Sequence, residues 1–160
     1  KHFTRGAMAE MRALLVELRP DSLTKTDLGQ LLGQLCDVFT GRTQIEVDKQ
    51  ISRNIHLPPN VQVAFYRVAQ EALNNIVKHA QATRATLTFQ QANDGSVALQ
   101  ITDNGVGFDM LQASPDHFGL QIIKERASEI EADCAIHSQP GQGTKIVLRK
   151  KINWEPVLAQ

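Results

Sequence analysis

Two runs of alternating apolar and polar residues flank Asn93-Asp94-Gly95 in the middle of the chain. Arg84 to Gln91 places Ala85, Leu87 and Phe89 on one side, and Val97, Leu99 and Ile101 repeat the alternation after the turn. Period-two patterning around such a turn is the signature of a β-hairpin with one buried face. A second pair, Cys134–His137 and Thr144–Ile152, flanks Gln139-Pro140-Gly141-Gln142-Gly143. Elsewhere the period becomes helical. Pro58-Pro59 opens the longest such stretch, through about His79, with Val61, Phe65, Val68, Ala72, Leu73 and Ile76 on its apolar face. Gly119 to about Ile130 reads as another helix. Asp27 can cap a helix to about Phe39 that Gly41 ends, and Gln44–Ile51 alternates as a strand. Met8–Leu18 is rich in helix formers and stops at Arg19-Pro20. Phe108–Phe118 is polar and aperiodic. The order is helix, helix, strand, helix, hairpin, loop, helix, hairpin. It predicts an α+β two-layer sandwich, with a mixed, mostly antiparallel sheet covered by helices on one face, rather than a doubly wound parallel sheet.

Composition narrows the function classes. The chain has 160 residues, enough for one core, and 17 basic residues balance 17 acidic ones. Zero net charge argues against a bulk electrostatic grip on nucleic acid or an anionic membrane. Cys36 and Cys134 are far apart and make no C-x-x-C pair, so they read as buried thiols of a reducing compartment. No apolar run approaches the roughly 20 residues of a membrane helix. The chain starts at Lys1 with no initiator Met and no signal peptide, and the expectation is a cytoplasmic fragment, with room upstream for an inner-membrane anchor.

Chemistry concentrates in four places. In Gln70–Ala80, Glu71, Asn75, Lys78 and His79 fall within an arc of roughly 100° at the ordinary helical step. An amide oxygen suits a hard cation such as Mg²⁺, a carboxylate suits acid/base work, and Lys and His suit phosphate. The same residues also fit a solvated face. Asp103 ends a strand and precedes Asn104-Gly105-Val106-Gly107. A carboxylate there can accept from an exocyclic purine amine such as adenine's, and the glycines let backbone approach the ligand; D-N-G is equally a good turn. His117-Phe118-Gly119-Leu120 precedes a helix, where free N–H groups receive anions, or is a plain helix start. Gly143-Thr144 ends a turn and offers a hydroxyl. Neither a Walker A motif nor a G-x-G-x-x-G fingerprint is present.

The order of these pieces is more specific than any one of them. The chain resembles the ATP-binding domain of the GHKL superfamily, which includes sensor histidine kinases, DNA gyrase and MutL. The matching residues are Glu71, Asn75, Lys78 and His79 in the helix; Asp103, Gly105 and Gly107; Gly119 and Leu120; and Gly143 and Thr144. The resemblance covers about Leu14 to Lys151 and implies the Bergerat-type fold, with ATP between helices and sheet under a lid. It implies that Asn75 holds Mg²⁺, Asp103 reads adenine with Thr144 assisting through water, Gly119 serves lid and phosphates, and Glu71 is the acid/base or water-orienting group.

Within the superfamily the chain is most similar to sensor histidine kinases that partner response regulators with LuxR-type DNA-binding domains. Leu18-Arg19-Pro20, Phe65-Tyr66-Arg67-Val68-Ala69-Gln70-Glu71-Ala72-Leu73 and Lys78-His79-Ala80 carry that similarity. The family phosphorylates a histidine on a preceding helical hairpin, which also makes the dimer; in this subfamily an acidic residue follows that histidine. His2, His56, His79, His117 and His137 are followed by Phe, Leu, Ala, Phe and Ser, so none fits. The expected organisation is residues 1–20 as the stump of the second hairpin helix, 21–152 as the ATP-binding domain and 153–160 as a tail. The expected activity is γ-phosphoryl transfer from Mg-ATP to a histidine on the hairpin. Two other readings stand beside it: another GHKL enzyme, such as an anti-sigma serine kinase, and a non-enzymatic nucleotide-sensing or docking module.

Overall fold

The structure, a computed structural model, describes residues 20–112 and 118–154. Its strands are β1 (Glu46–Ile51), β2 (Arg84–Gln91), β3 (Ser96–Asp103), β4 (Asp133–Ser138) and β5 (Thr144–Lys151), in the spatial order β1-β2-β3-β5-β4. Three neighbouring pairs are antiparallel, and β1 runs parallel to β2. A parallel pair needs a crossover, and the long helix supplies it. The helices are α1 (Pro20–Lys25), α2 (Leu28–Thr43), α3 (Pro59–Asn75) and α4 (Phe118–Glu129). The mixed, mostly antiparallel α+β sandwich is therefore the fold adopted.

Alternation decides what the sheet buries. Ala85, Leu87 and Phe89 of β2, Val97, Leu99 and Ile101 of β3, and Ile146 and Leu148 of β5 are all buried. Phe65, Val68, Ala69, Ala72 and Leu73 of α3 are buried with them. Phe65 meets Phe89 edge-on, centroids 6.2 Å apart at 72°. The hairpin falls where Asn93-Asp94-Gly95 predicts it, with Gly95 at φ 79°. Trp154 donates its Nε1–H to Gly95 O at 2.9 Å, so the start of the expected tail docks on that turn. Expectations for residues 1–19 and 155–160 lie outside the described residues. Cys36 is buried and Cys134 half-buried, both free, and burial pushes the Cys36 thiol up to about 11.

Three boundaries differ from those expected. Helix α2 does not stop at Gly41 but runs to Thr43, and Gln44 takes the left-handed terminating conformation at φ 62°. The Thr43 hydroxyl donates to Phe39 O at 2.8 Å and accepts from the Ile45 N–H, closing the last turn without a glycine. Strand β1 accordingly starts at Glu46 rather than Gln44. Helix α3 ends at Asn75, and Ile76–Ala80 forms a π-helical turn rather than regular helix.

The start of the domain is held by two polar side chains. Asp27 caps α2 by accepting from Gln30 N–H, and its other oxygen accepts from Asn54 N–H. The short helix α1, where the sequence patterning assigned no element, ends on buried Gln62 of α3. The Gln62 amide donates to Leu23 O at 2.5 Å and Thr26 O at 2.7 Å. Gln62→Ala leaves both carbonyls without this donor. The expected loss is about 1–3 kcal/mol, read as a lower urea midpoint with an unchanged slope. An unaltered midpoint would show that the corner does not depend on this amide.

Candidate functional site

Strand parity carries Asp103 inward. It lies two residues beyond Ile101 on β3, so it shares the face of Val97, Leu99 and Ile101. The side chain is 7% exposed. Oδ1 accepts from Gly105 N–H at 2.8 Å, and the Thr144 backbone amide also supports the carboxylate. Desolvation outweighs these two amides and holds the Asp103 carboxyl above its ordinary 3.8.

The loop after Asp103 is clamped on both sides. Asn104 accepts from Thr83 and Arg84 N–H, both at 3.0 Å, and donates to Thr83 Oγ1, tying the end of β3 to the start of β2. Asn104 is thus the turn-forming member of the D-N-G run. Val106 donates to Ala80 O and accepts from Gly141 N–H, so the loop is strapped to the end of the π turn and to the β4–β5 turn. Gly107 at φ 61° and Gly143 at φ 72° pass each other so closely that a Cβ on Gly107 would strike Gly143 O, and one on Gly143 would strike Asp103 O. Positive φ and close approach together require glycine at both.

These elements enclose an open cleft. Asp103, Thr144, Ile101 and Ile146 line the sheet side, and Asn75, Ile76, His79 and Ala80 the helix side, with Gly107, Phe108 and Leu120 between. The lining suits a small apolar body oriented by a few polar groups. The π turn shapes the helix side. Ile76 N–H is shared between Ala72 O and Leu73 O, and Gln81 ends the turn at φ 50°. The ordinary 100° step therefore fails beyond Asn75, and so does the single arc expected for Glu71, Asn75, Lys78 and His79. His79 lines the cleft, whereas Lys78 is exposed and outside its wall.

Gly119, in the first turn of α4, faces Glu71 and Asn75. A Cβ there would collide with Glu71 Oε1 and with Asn75 Oδ1, so α4 approaches α3 through this missing side chain. Asn75 Nδ2 is buried with no hydrogen-bond partner. The loop before Gly119 contains a 3₁₀ turn at Met110–Gln112, and Phe118 is 71% exposed. His117 lies outside the described residues.

The structure thus brings Asn75, His79, Asp103, Gly107, Leu120 and Thr144 around one cleft. It places Gly105, Gly119 and Gly143 at close backbone approaches in the wall, and it leaves Lys78 apart. Sequence reasoning missed Ile101, Ile146 and Ser138. The isoleucines were readable by parity, each two residues from a polar site residue. Ser138 was not singled out, because its part depends on the register that sets it opposite Thr144.

Known proteins are similar to the chain in sequence and fold. The family described as Histidine kinase-, DNA gyrase B-, and HSP90-like ATPase matches residues 60–153. Sensor histidine kinase LiaS of Bacillus subtilis is 35% identical over 152 residues, covering 95% of this chain and 42% of the relative. Signal transduction histidine-protein kinase/phosphatase DegS of Brevibacillus brevis is 31% identical over 156 residues, covering 97% and 40%. The chain therefore spans well under half the length of these relatives. Among solved structures, the histidine kinase domain of the Erythrobacter litoralis EL346 blue-light activated histidine kinase superposes with a TM-score of 0.66 at 20% identity, over 77% of this chain and 64% of that one. That likeness speaks for the fold. The family match spans more than half of the chain and takes in both the Asn75 helix and the Asp103 loop, so the chain belongs to the histidine kinase-, DNA gyrase B- and HSP90-like ATPase family.

Proposed function

We propose that this chain is the ATP-binding catalytic domain of a sensor histidine kinase. It binds Mg-ATP in the cleft and passes the γ-phosphoryl group to a histidine on a helical hairpin of its own kinase, which is a homodimer in the full-length protein. A response regulator then takes the phosphate, and the Leu-Arg-Pro and Phe65–Leu73 patterns favour one with a LuxR-type DNA-binding domain. We place the domain in the cytoplasm; no described helix is long and apolar enough to cross a membrane. The observation that carries the reading is the pairing, across one cleft, of a buried carboxylate with an unpartnered buried amide.

At the base end, Ile76, Ile101 and Ile146 offer apolar walls for a purine, and Asp103 accepts from its amine. A ring with oxygen at that position meets a repelling carboxylate. Gly105, Gly107 and Gly143 let the backbone fold close beneath it, Leu120 closes the apolar side, and Thr144 adds a hydroxyl. At the phosphate end, Asn75, His79 and the backbone at Gly119 face the triphosphate. Among the described residues no three of His, Cys, Asp or Glu cluster around a point. A magnesium site here rests on one side-chain oxygen with nucleotide oxygens and water, a sparse set this ion accepts. The buried Asn75 atom without a partner is the Nδ2 donor, which suits a phosphate oxygen, and the same amide carries the Oδ1 that the ion would take. Magnesium, when bound, offsets phosphate charge; Asn75 is the residue that would hold it. Glu71, one turn before Asn75, is assigned as the acid/base or water-orienting group. Lys78 is assigned only as an outlying positive charge. Phosphoryl transfer through a loose transition state asks mainly for such positioning and charge neutralisation.

Asp103→Asn should weaken ATP binding by about 1–3 kcal/mol in calorimetry, and unchanged affinity would remove Asp103 from base recognition. The same assignment fixes a pH response. The ionised carboxyl is the stronger acceptor for the purine amine, and burial raises its pKa. ATP affinity should therefore fall as acid protonates Asp103, starting above the usual carboxylate range, and the Asp103→Asn variant should lack that step.

Asn75→Ala should abolish the Mg²⁺ dependence of nucleotide binding. Equal dependence in the variant would refute the metal assignment.

Mixed with a separately produced phosphoacceptor hairpin of the same kinase, the chain should transfer label slowly from γ-labelled ATP to histidine. Persistent silence at high concentration of both would favour a non-enzymatic nucleotide sensor.

A further inference from the structure

The Ser138 side chain sits where the loop, the turn and the cleft meet. It is 9% exposed and lies directly opposite Thr144 across the β4–β5 pair. Its Oγ accepts from Phe108 N–H at 2.9 Å, donates to Gly143 O at 3.1 Å, and lies 2.9 Å from Thr144 Oγ1. Proton counting settles the direction of that last contact. A serine hydroxyl has one proton to give and two lone pairs to receive. An amide N–H can only donate and a carbonyl oxygen can only accept. The single serine proton therefore goes to Gly143 O, one lone pair takes Phe108 N–H, and the second is left for Thr144. With all three contacts satisfied, Thr144 must be the donor. The Thr144 proton points at Ser138, and the Thr144 oxygen presents lone pairs to the cleft it lines.

We propose that Ser138 is a specificity-positioning residue: by taking the Thr144 proton, it fixes that hydroxyl as an acceptor beside Asp103 and so helps the cleft select 6-amino over 6-oxo purines. The proposal rests on the adenine reading of the cleft given above. A hydroxyl free to turn would accommodate either base, donating to a C6 oxygen or accepting from a C6 amine or its bridging water. A hydroxyl whose proton is committed cannot make the first adjustment, and a 6-oxo purine then faces two acceptors. Ser138 itself need not touch the nucleotide; its effect runs through Thr144.

Titration of the chain with ATP and with inosine triphosphate, which carries oxygen at C6, gives the preference as a ratio of affinities. Ser138→Ala should lower that ratio roughly fivefold, the scale of one neutral hydrogen bond, chiefly by tightening inosine triphosphate. Ser138→Thr, which keeps the hydroxyl, should restore the wild-type ratio. Thr144→Val should lower the ratio alone, and adding Ser138→Ala to it should change nothing further. Where the alanine variant does not fold, Ser138→Cys, a weak donor and acceptor of similar shape, should move the ratio the same way. An unchanged ratio in the folded variant, or equal weakening of both nucleotides, overturns the proposal and leaves the adenine reading standing. A wild-type chain that binds neither nucleotide overturns both.

Discussion

A carboxylate on the core side of a β-sheet is the constraint around which this domain is arranged. The alternation that buries Leu99 and Ile101 also turns Asp103 inward, away from bulk water. Desolvation penalises that charge, and the two backbone amides that reach it do not fully offset the cost. A desolvated acceptor therefore faces the cleft. Gly105, Gly107 and Gly143 serve this arrangement, because each allows backbone to pack where any Cβ would separate the loop from the helix end or the β4–β5 turn. The inward carboxylate and the close-packed loop are thus two results of one strand register.

The opposite wall achieves its geometry by departing from regular helix. Continued α-helix beyond Asn75 would keep Lys78 and His79 on one arc with Glu71. The π turn redistributes them, so that His79 faces the cleft and Lys78 does not. It also ends with Ala80 O positioned to accept from Val106, which couples the helix end to the loop carrying the glycines. Single π turns tend to occur at functional sites because they re-aim a few side chains at modest cost. Here the re-aimed His79 lines the cleft. The helix and the glycine loop meet through one backbone hydrogen bond, so the two ends of the site are held in fixed relation.

Most of the fold was legible because its signals are local. Both hairpins, the parity of β2 and β3 and the apolar stripe of α3 follow from period and turn residues alone. The errors arose where a particular hydrogen bond, not residue type or period, decides. Gly41 looked like a helix stop, but Thr43 could close the turn by bonding Phe39 O, and the helix outlasted its glycine. The arc of four polar residues assumed a uniform helical step that the chain abandons at Ile76. For the cleft, motif order pointed to Asp103, Asn75 and Thr144, which line it, and to Gly119, which packs against Asn75; all carry distinctive chemistry at distinctive spacings. It did not find Ser138, because a serine ending a strand has no meaning until the register places it across from Thr144.

Departures such as left-handed Gln44, Asn54 and Glu131 lie elsewhere, but several fall together. The desolvated Asp103, the unpartnered Asn75 Nδ2, the π turn and positive-φ Gly107 line one cleft, with Gln81 and Gly143 next to lining residues. Each is unfavourable when the empty domain is considered alone. A sequence selected only for stability would replace several of them. Their concentration at one place follows if the ligand supplies the missing partners: a donor for Asp103 and polar contacts for Asn75. The core of Phe65, Phe89, Leu99 and Leu148, which obeys every local rule, then provides the stability against which that local cost is set.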